Sequence, residues 1–182
     1  MLGFDLNTDV ETLENYAKSG GLVPEGNYHV RLAGAKTVTS KQKGLPGHEL
    51  HFEILGGPST GQEVKETLWE AGADSTDKQR TAANNRLLIF GLRLGLLRKK
   101  GDGKIEFTPG KQDFSDVIGA EAIIEVKHEK YKKEDGGEGK SAKVPFTGIH
   151  YLTDPIAKTA VKGASAAGVT PSKSSKVNTA DL

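Results

Sequence analysis

Three segments decide the fold of this chain: PEGNYHVRL at residues 24–32, HELHFEILGGP at residues 48–58 and GQEVKETLW at residues 61–69. Apolar and polar residues alternate in each segment, and a period of two is typical of a strand that buries one face. The run GGPS at residues 56–59 cannot continue a strand, so it turns the second strand into the third. The stretch 24–71 therefore predicts three successive antiparallel strands. Their predicted buried residues are Tyr28, Val30, Leu32, Leu50, Phe52, Ile54, Val64 and Leu68.

The next part of the chain predicts a helix followed by two longer strands. Thr76 and Gln79 have the spacing of a capping box, and we expect the helix to end in the cationic run 98–103. Its predicted core face carries Ala83, Leu87, Phe90, Leu94 and Leu97. A short strand at Ile105–Phe107 and a helical turn at 113–117 come next. The last two strands are predicted at 122–128 and 144–152, each with alternating apolar residues.

This order of elements indicates a mainly β protein. Three strands, a helix and two strands form the oligonucleotide/oligosaccharide-binding (OB) barrel, a five-stranded antiparallel fold with a helix between strands three and four. We expect an N-terminal helical extension at residues 1–22 and an OB-like nucleic-acid-binding domain at 23–153. The extension either packs on the barrel or contacts another copy. Residues 154–182 are predicted to be a disordered tail, because they contain no aromatic residue and are rich in Ala, Ser, Thr, Lys and Gly.

Composition excludes several classes of protein. The chain has 182 residues, a formal net charge of +1 and no cysteine. It therefore has no disulfide framework, cysteine-based zinc site or thiolate nucleophile. The sequence has no apolar run as long as a membrane span, so we expect a soluble protein of the host cytoplasm with no membrane contact. Because the net charge is small, the positions of the cations along the chain say more about a charged ligand than their total number does.

Lysines gather in two predicted loops, residues 37–47 and 129–143. In an OB barrel these loops flank the face of strands two and three on which the ligand lies. Lysine suits a flexible phosphate backbone because it supplies a point charge without a fixed geometry. The candidate nucleic-acid-binding residues are Arg31, Lys36, Lys41, Lys43, His51, Lys65, Trp69, Lys127, Lys130, Tyr131, Lys132, Lys133, Lys140 and Lys143.

Aromatic rings are the second requirement of such a surface, because unpaired bases stack on them. Alternation places Trp69 on the polar face of its strand, and Tyr131, Tyr151 and His51 could join it. A tryptophan in the core is the alternative, and each lysine run could be a solvated loop. The stripe of Arg86, Arg93 and Lys100 either follows a phosphate backbone or is a solvated helix face. These alternatives stay open in the sequence.

Enzyme chemistry finds little support. The run EGKS at 138–141 imitates the end of a P-loop, but Glu134 stands where its first glycine belongs and a strand follows. His48 and His51 point to opposite sides of a predicted strand, which is poor metal geometry. No carboxylate pair or nucleophile stands out. We predict no catalytic residue, no metal site, no cofactor and no enzymatic activity.

The chain resembles a bacteriophage family that is known as a domain of unknown function and whose members tend to sit among replication and recombination genes. The resemblance covers about residues 23–152 and is carried by PEGNYHV at 24–30, Ser40-Lys41 with Gly44, LHFEILGGP at 50–58 and Gly61. The resemblance extends to the helix, with Leu92, Gly95 and Leu96, and to the segment from Phe114 to Gly119. It implies an OB-like single-stranded-DNA-binding protein of a phage. Proteins of that function often end in an acidic tail, whereas this chain ends NTADL.

Two functions follow as expectations. The first is a sequence-tolerant binder of single-stranded DNA in phage DNA replication or recombination, with phage replication or recombination proteins as further partners and a homo-oligomer as one possible state. The second is an OB-like protein-interaction module that recruits a phage recombinase or replisome component without touching DNA. A small nuclease or hydrolase would need a catalytic constellation that the sequence does not offer.

Overall fold

The computed structural model describes residues 10, 13, 14, 17 and 21–163 of the chain. The strands of that part are β1 Gly26–Thr39, β2 Pro46–Ile54, β3 Glu63–Trp69, β4 Leu97–Lys99, β5 Ile105–Phe107, β6 Glu121–Lys132, β7 Glu138–Lys143 and β8 Ile149–His150. The helices are α1 Asp77–Arg93 and α2 Pro155–Gly163, and a 3-10 turn spans Phe114–Val117. Its helices include none with the length and apolar character to cross a membrane.

One antiparallel sheet organises the molecule, in the order β3–β2–β1–β6–β7, with β8 paired to β6 and a separate β4–β5 hairpin. The predicted antiparallel β class is confirmed. The predicted five-stranded OB-like barrel is not confirmed: no ladder joins β3 to β7 in the described part of the chain, so these two strands are the edges of the sheet.

The inner face of the sheet forms the core, as the alternation predicted. Val30 lies opposite Ile54 and Leu32 opposite Phe52, and Phe52 pairs in turn with Val64. A bulge in β1 between Leu32 and Gly34 bends the strand. Helix α1 packs against this core through Phe90, whose ring centroid lies 6.5 Å from that of Phe52. The buried apolar residues on the sheet are Val30, Leu32, Leu50, Phe52, Ile54, Val64, Leu68, Ala122, Ile124 and Val126.

Both predicted loops are mostly β-hairpin, which corrects their boundaries. Strand β1 continues to Thr39 and β2 starts at Pro46, so the turn between them contains only residues 40–45. Strands β6 and β7 pair from Lys127–Lys143 to Lys132–Glu138, so their turn contains only residues 133–137. Residues 127–132 and 138–143 extend beyond the core and lack the apolar alternation by which a strand is recognised in sequence.

Helix α1 begins with the predicted capping box, in which Thr76 and Gln79 each bond the other's backbone N–H. It ends at Arg93, not in the run 98–103, because Gly95 follows with a φ of 77° that ends the helix. Leu97–Lys99 instead pairs with Ile105–Phe107. Lys100 therefore lies outside the helix, so Arg86, Arg93 and Lys100 do not share one helix face and the predicted stripe of three is wrong.

The predicted last strand, 144–152, is also wrong over most of its length. Strand β7 ends at Lys143, and only Ile149 and His150 form the short β8. Pro145 has no N–H for a ladder, and its carbonyl accepts a hydrogen bond of 2.9 Å from the N–H of Gly148. This tight turn breaks the strand.

The two chain ends differ in what the structure describes. Residues 155–163, predicted as the start of a disordered tail, form α2, where Ala157 and Ala160 pack on Ile123. The remainder of that tail, 164–182, lies outside the described residues. Of the predicted N-terminal helix, residues 10, 13, 14 and 17 are helical, and its other residues between 6 and 20 also lie outside the described part.

A buried ion pair ties the two sheet edges to the helix. Glu66 of β3 is buried in the core, where its carboxylate accepts hydrogen bonds from the N–H of Val144 at 2.9 Å and from Thr67 at 3.2 Å. Arg86 of α1 lies 3.1 Å from the same carboxylate and donates to the carbonyl of Val144 at 2.9 Å. We refer to Glu66, Arg86 and Val144 as the edge clasp, because they join β3 to the end of β7 without a ladder.

Candidate nucleic-acid interface

The face of the sheet opposite the core, the outward face, carries the single tryptophan. Trp69 alternates with the buried Leu68 and is 40% exposed, so the alternative of a core tryptophan is wrong. Its indole lies against Gly47, its partner in the β2–β3 ladder. A Cβ atom on Gly47 would stand 2.5 Å from Trp69 Cε3. Glycine therefore lets the ring lie flat on the strand, with much of its surface open to solvent.

Carboxylates neutralise the predicted cations on the outward face. Arg31 Nη2 lies 2.6 Å from Glu53. Lys36 lies 3.0 Å from Glu49, and this hydrogen bond, followed by that of His51, lowers the pKa of the Glu49 carboxyl. The pairing with Glu53 likewise raises the pKa of Arg31.

Two further predicted cations fit the same pattern. Lys65 lies 3.7 Å from Glu63, and Lys127 of β6 lies 3.2 Å from Glu125. The outward face between the two hairpins is therefore an array of ion pairs rather than a cationic patch.

His51 lies at the centre of this array. Its Nε2 is 2.7 Å from Glu49 and its Nδ1 is 3.0 Å from Glu63. Both ring nitrogens are thus engaged by protein carboxylates, and the ring is largely buried among them. The structure gives His51 a bridging position between β2 and β3.

The β6–β7 hairpin has a different charge pattern. Its register places Lys127 directly opposite Lys143 and Lys130 directly opposite Lys140. Successive residues of a strand point to opposite faces, so each face of the hairpin carries one pair of like charges. Lys130 also lies 3.9 Å from Glu138, both side chains being exposed.

The second exposed ring belongs to the same hairpin. Tyr131 is 49% exposed and lies against Gly139, its cross-strand partner. A Cβ atom on Gly139 would stand 2.5 Å from Tyr131 Cζ. Tyr131 and Trp69 therefore have the same arrangement: an aromatic side chain supported by a glycine of the neighbouring strand, which is typical of edge hairpins.

The remaining predicted lysines lie at or near the hairpin ends. Lys41 and Lys43 are in the turn 40–45, Lys133 is in the turn 133–137, and Lys132 ends β6. No salt bridge joins these four, or Lys140 and Lys143, to a carboxylate within residues 21–163. The unpaired predicted cations are thus concentrated in the two hairpins.

The two hairpins extend from opposite ends of β1. Thr39 pairs with Pro46 beside the first turn, whereas Gly26 pairs with Val126 just before the second hairpin. These ends are separated by 13 residues, about 43 Å along the strand. Helix α2 lies against β1 and β6 between them. The structure thus places the unpaired candidate cations in two regions, each with one exposed ring, and the ion-paired outward face with the remaining candidates lies between them.

Three aromatic or cationic candidates, Tyr151, Arg93 and Arg86, have other partners. The guanidinium of Arg93 lies 4.1 Å from the centroid of the Tyr151 ring, so that face of the ring is occupied. Arg86 belongs to the edge clasp. Neither Tyr151 nor Arg86 is placed to serve a ligand on the outward face.

Sequence analysis missed the residues that shape this surface. Gly47 and Gly139 support the two rings, and glycine inside a strand is a known signal of a close approach. The alternation of the sequence places Glu49, Glu53 and Glu63 on the outward face. Their cationic partners depend on the register between β1, β2 and β3, which the sequence does not show. Within the described part of the chain, no group of three His, Asp or Glu residues could hold a metal ion.

Comparison with protein families gives one match. Residues 9–147 match the family described as "Protein of unknown function (DUF669)". No curated protein matches the chain.

Proposed function

We propose that this chain, which belongs to the DUF669 family of proteins of unknown function, is a sequence-tolerant binder of single-stranded DNA. The observation that carries the proposal is the double like-charge pairing in the β6–β7 hairpin, Lys127 with Lys143 and Lys130 with Lys140. Like charges directly opposite each other destabilise a sheet. A bound polyanion would remove that repulsion, and each phosphate neutralised would release a condensed counterion.

Exposed rings favour single-stranded over double-stranded nucleic acid as the ligand. Trp69 and Tyr131 each offer a ring held by a glycine, and a base can stack on such a ring only when it is free of its own duplex stack. Stacking tolerates any base, since every base has an aromatic face. Lysine adds charge without base readout. The combination predicts little dependence on sequence.

The order of elements supports an OB-like arrangement. The OB-fold is a partly open five-stranded barrel, and here β1, β2, β3, β6 and β7 are the five longest strands, with α1 between the third and the fourth. The edge clasp brings β3 close to the end of β7, where a barrel would close. A role in phage DNA replication or recombination is the part of the proposal that rests on the family resemblance of the sequence.

Oligonucleotide binding tests the proposal. Fluorescence anisotropy should show binding to labelled single-stranded DNA of mixed sequence, weaker binding to the matching duplex, and a loss of affinity as salt increases. If about five cations engage phosphates, the logarithm of the association constant should fall against the logarithm of salt concentration with a slope of about −3 to −4. Equal affinity for duplex, or affinity independent of salt, would contradict the proposal.

A protein-interaction module is the second candidate, and one observation favours it. A cavity of about 450 Å³ lies beside α1 and the β4–β5 hairpin, on a different side of the molecule from Trp69, and is lined mainly by apolar side chains. A module of this kind would bind a protein partner through this cavity and show no oligonucleotide binding in the experiment above.

A further inference from the structure

The two glycine-supported rings lie on the same face of the sheet. Trp69 follows the buried Leu68 in β3, and Tyr131 lies five residues after the buried Val126 in β6. Successive side chains of a strand point to opposite faces, so a residue at an odd spacing from a core position lies on the outward face. One ligand on the outward face can therefore reach both rings.

One group of unpaired cations lies beside Trp69. The backbone N–H of Glu70, the next residue, donates to the carbonyl of Pro46 at 3.0 Å. Lys41 and Lys43 belong to the turn that ends just before Pro46. We refer to Trp69, Lys41 and Lys43 as the first contact site.

A second group of unpaired cations lies beside Tyr131. Lys143 pairs with Lys127, which is four residues before Tyr131, so Lys143 lies on the face of that ring. Lys133 is in the turn at the end of the same hairpin. We refer to Tyr131, Lys133 and Lys143 as the second contact site.

The outward face between the two contact sites offers little to a nucleic acid. In the described part of the chain, neither β1 nor β2 has an exposed Trp, Tyr or Phe. The cations of this part are held by carboxylates, as Arg31 is by Glu53 and Lys36 is by Glu49. Helix α2 covers Ile123 of β6. A strand of DNA that crosses this part would lie near carboxylates, without a ring on which its bases could stack.

We propose that one single strand of DNA bridges the two contact sites and is held at these two points rather than along its whole length. The inference rests on the proposed function, because it names the length of nucleic acid that the same surface binds. Once a strand reaches both sites, the second contact is intramolecular, which raises the affinity by about 10²–10⁴-fold over that of one site. A strand that reaches only one site lacks this gain.

The register of the sheet sets the length of DNA that is required. Trp69 pairs with Gly47, which pairs with Val38, and Tyr131 lies five residues beyond the level of Gly26. The two levels are 17 residues apart along β1 and β6, a path of about 56 Å that the coiling of the strands shortens. At the spacing of a duplex strand this path takes about 16 nucleotides, and a stretched strand covers it with fewer.

Fluorescence anisotropy with labelled oligothymidines of two lengths tests the inference. A strand of about 5 nucleotides reaches one contact site, whereas a strand of about 20 nucleotides reaches both. The wild-type chain should bind the long strand at least about 100-fold more tightly than the short one. That gain is much larger than the proportional increase that a longer strand obtains from its additional binding positions.

Variants of the two contact sites show whether both are needed. Lys41→Gln with Lys43→Gln weakens the first site, and Lys133→Gln with Lys143→Gln weakens the second. Each pair should lower the affinity for the long strand more than that for the short strand, because a short strand can still use the intact site.

A strand with an uncharged middle provides the sharpest comparison. Two runs of about 5 thymidines, joined by an uncharged spacer without bases that matches the length of the long strand, should keep most of the gain in affinity. Lys78→Gln with Lys104→Gln, two exposed lysines outside both contact sites, should bind all three strands as the wild type does.

Three results would overturn the inference and leave DNA binding itself in place. They are an affinity that rises only in proportion to length, site variants that weaken the long and short strands equally, and a spacer strand that binds no better than one short run. A wild-type chain that binds none of the strands would overturn the inference together with the proposed function. The two kinds of failure are therefore distinguishable.

Discussion

At the scale of single residues, the surface depends on two rings and the glycines beneath them. Trp69 lies on Gly47 and Tyr131 lies on Gly139, in two different hairpins. A side chain at either glycine would displace the ring. Contact with the backbone of the glycine holds each ring in one orientation with its other face open, as a surface for base stacking requires.

Replacing Trp69 tests this arrangement. Trp69→Ala should weaken binding of single-stranded DNA by about 1–3 kcal/mol, the range measured when a stacking ring is removed. Thermal unfolding should change little, since the ring lies outside the core. Phe146→Ala removes another exposed ring and serves as the control. An unchanged affinity for Trp69→Ala would exclude the indole from the interface.

Carboxylates of the outward face hold cations that could otherwise bind a phosphate. Glu53 holds Arg31, and Glu63 holds His51 and Lys65. A phosphate must compete with these carboxylates for the same cations. The carboxylates of the outward face should therefore lower the affinity of the protein for single-stranded DNA.

Neutralising the carboxylates should strengthen binding. We expect Glu53→Gln with Glu63→Gln to raise the affinity for single-stranded DNA and to steepen the salt dependence by about 0.7 for each cation that becomes available. Glu106→Gln, which frees cations of the β4–β5 hairpin away from this face, should leave both quantities unchanged. A lower affinity for the double variant would show that the carboxylates organise the site.

Alternation in the sequence predicted which residues face outward but not what they contact. Leu50, Phe52 and Ile54 are buried as their period of two required. The partner of His51 depends on the register between β2 and β3, which depends in turn on the turn geometry at residues 55–62. The sequence of one strand therefore does not predict which ion pairs it forms with its neighbour, because the register between the two strands decides which side chains meet.

At the scale of elements, the β6–β7 hairpin places lysines opposite each other, which lowers its stability and concentrates positive charge. Like charges directly opposite each other disfavour the pairing of β6 with β7, although Lys127 and Lys130 each also lie near a carboxylate. Beyond Val126 and Val144 the hairpin has no apolar core to offset that cost. Such a pattern is typical of a functional element that is stabilised when its ligand binds.

Charge reversal in the hairpin should separate stability from binding. Lys140→Glu places an opposite charge across from Lys130, so it should raise the free energy of unfolding by about 0.2–1 kcal/mol while weakening the binding of single-stranded DNA. Lys132→Glu instead places a second carboxylate opposite Glu138, so it should lower stability and also weaken binding. Chemical denaturation and anisotropy measure the two effects. A Lys140→Glu variant that loses stability would contradict the pairing of Lys130 with Lys140.

Element boundaries were predictable where a local signal marked them. The capping box of Thr76 and Gln79 located the start of α1. Its end was misplaced because Leu94 and Leu97 continue the apolar spacing of the helix past Gly95, although Leu97 belongs to β4. The sequence predicts a loop over 129–132 and 138–143, because these residues lack apolar alternation and become strands only through their pairing with each other.

At the scale of the whole molecule, the edge clasp joins the two edges of the sheet, β3 and the end of β7, to helix α1. Glu66 sits in a strand whose alternation marks it as buried, yet it is charged, and its partners come from α1 and from the segment after β7. The mainly β antiparallel class was predictable from alternation. The open edges were not, because Glu66 and Val144 lie 78 residues apart in sequence.

Removing the cation of the edge clasp should destabilise the fold. Arg86→Met leaves the buried Glu66 carboxylate without its ion-pair partner, and loss of one partner of a buried pair lowers the free energy of unfolding by about 3–5 kcal/mol. Arg98→Met, which removes an exposed partner of Glu106, should cost about 1 kcal/mol or less. Equal effects in chemical denaturation would show that the clasp is not a determinant of the fold.

The central claim is that unpaired lysines of the β6–β7 hairpin bind phosphates of single-stranded DNA. The most direct test compares the salt dependence of binding for Lys140→Gln with Lys143→Gln, two hairpin lysines that no salt bridge joins to a carboxylate in the described residues, against that for Lys78→Gln with Lys104→Gln, two exposed lysines outside the hairpin. We expect the hairpin variant to lose about 1.4 from the slope, at about 0.7 for each lysine, and the other variant to keep the wild-type slope. Equal slopes in the two variants would contradict the claim.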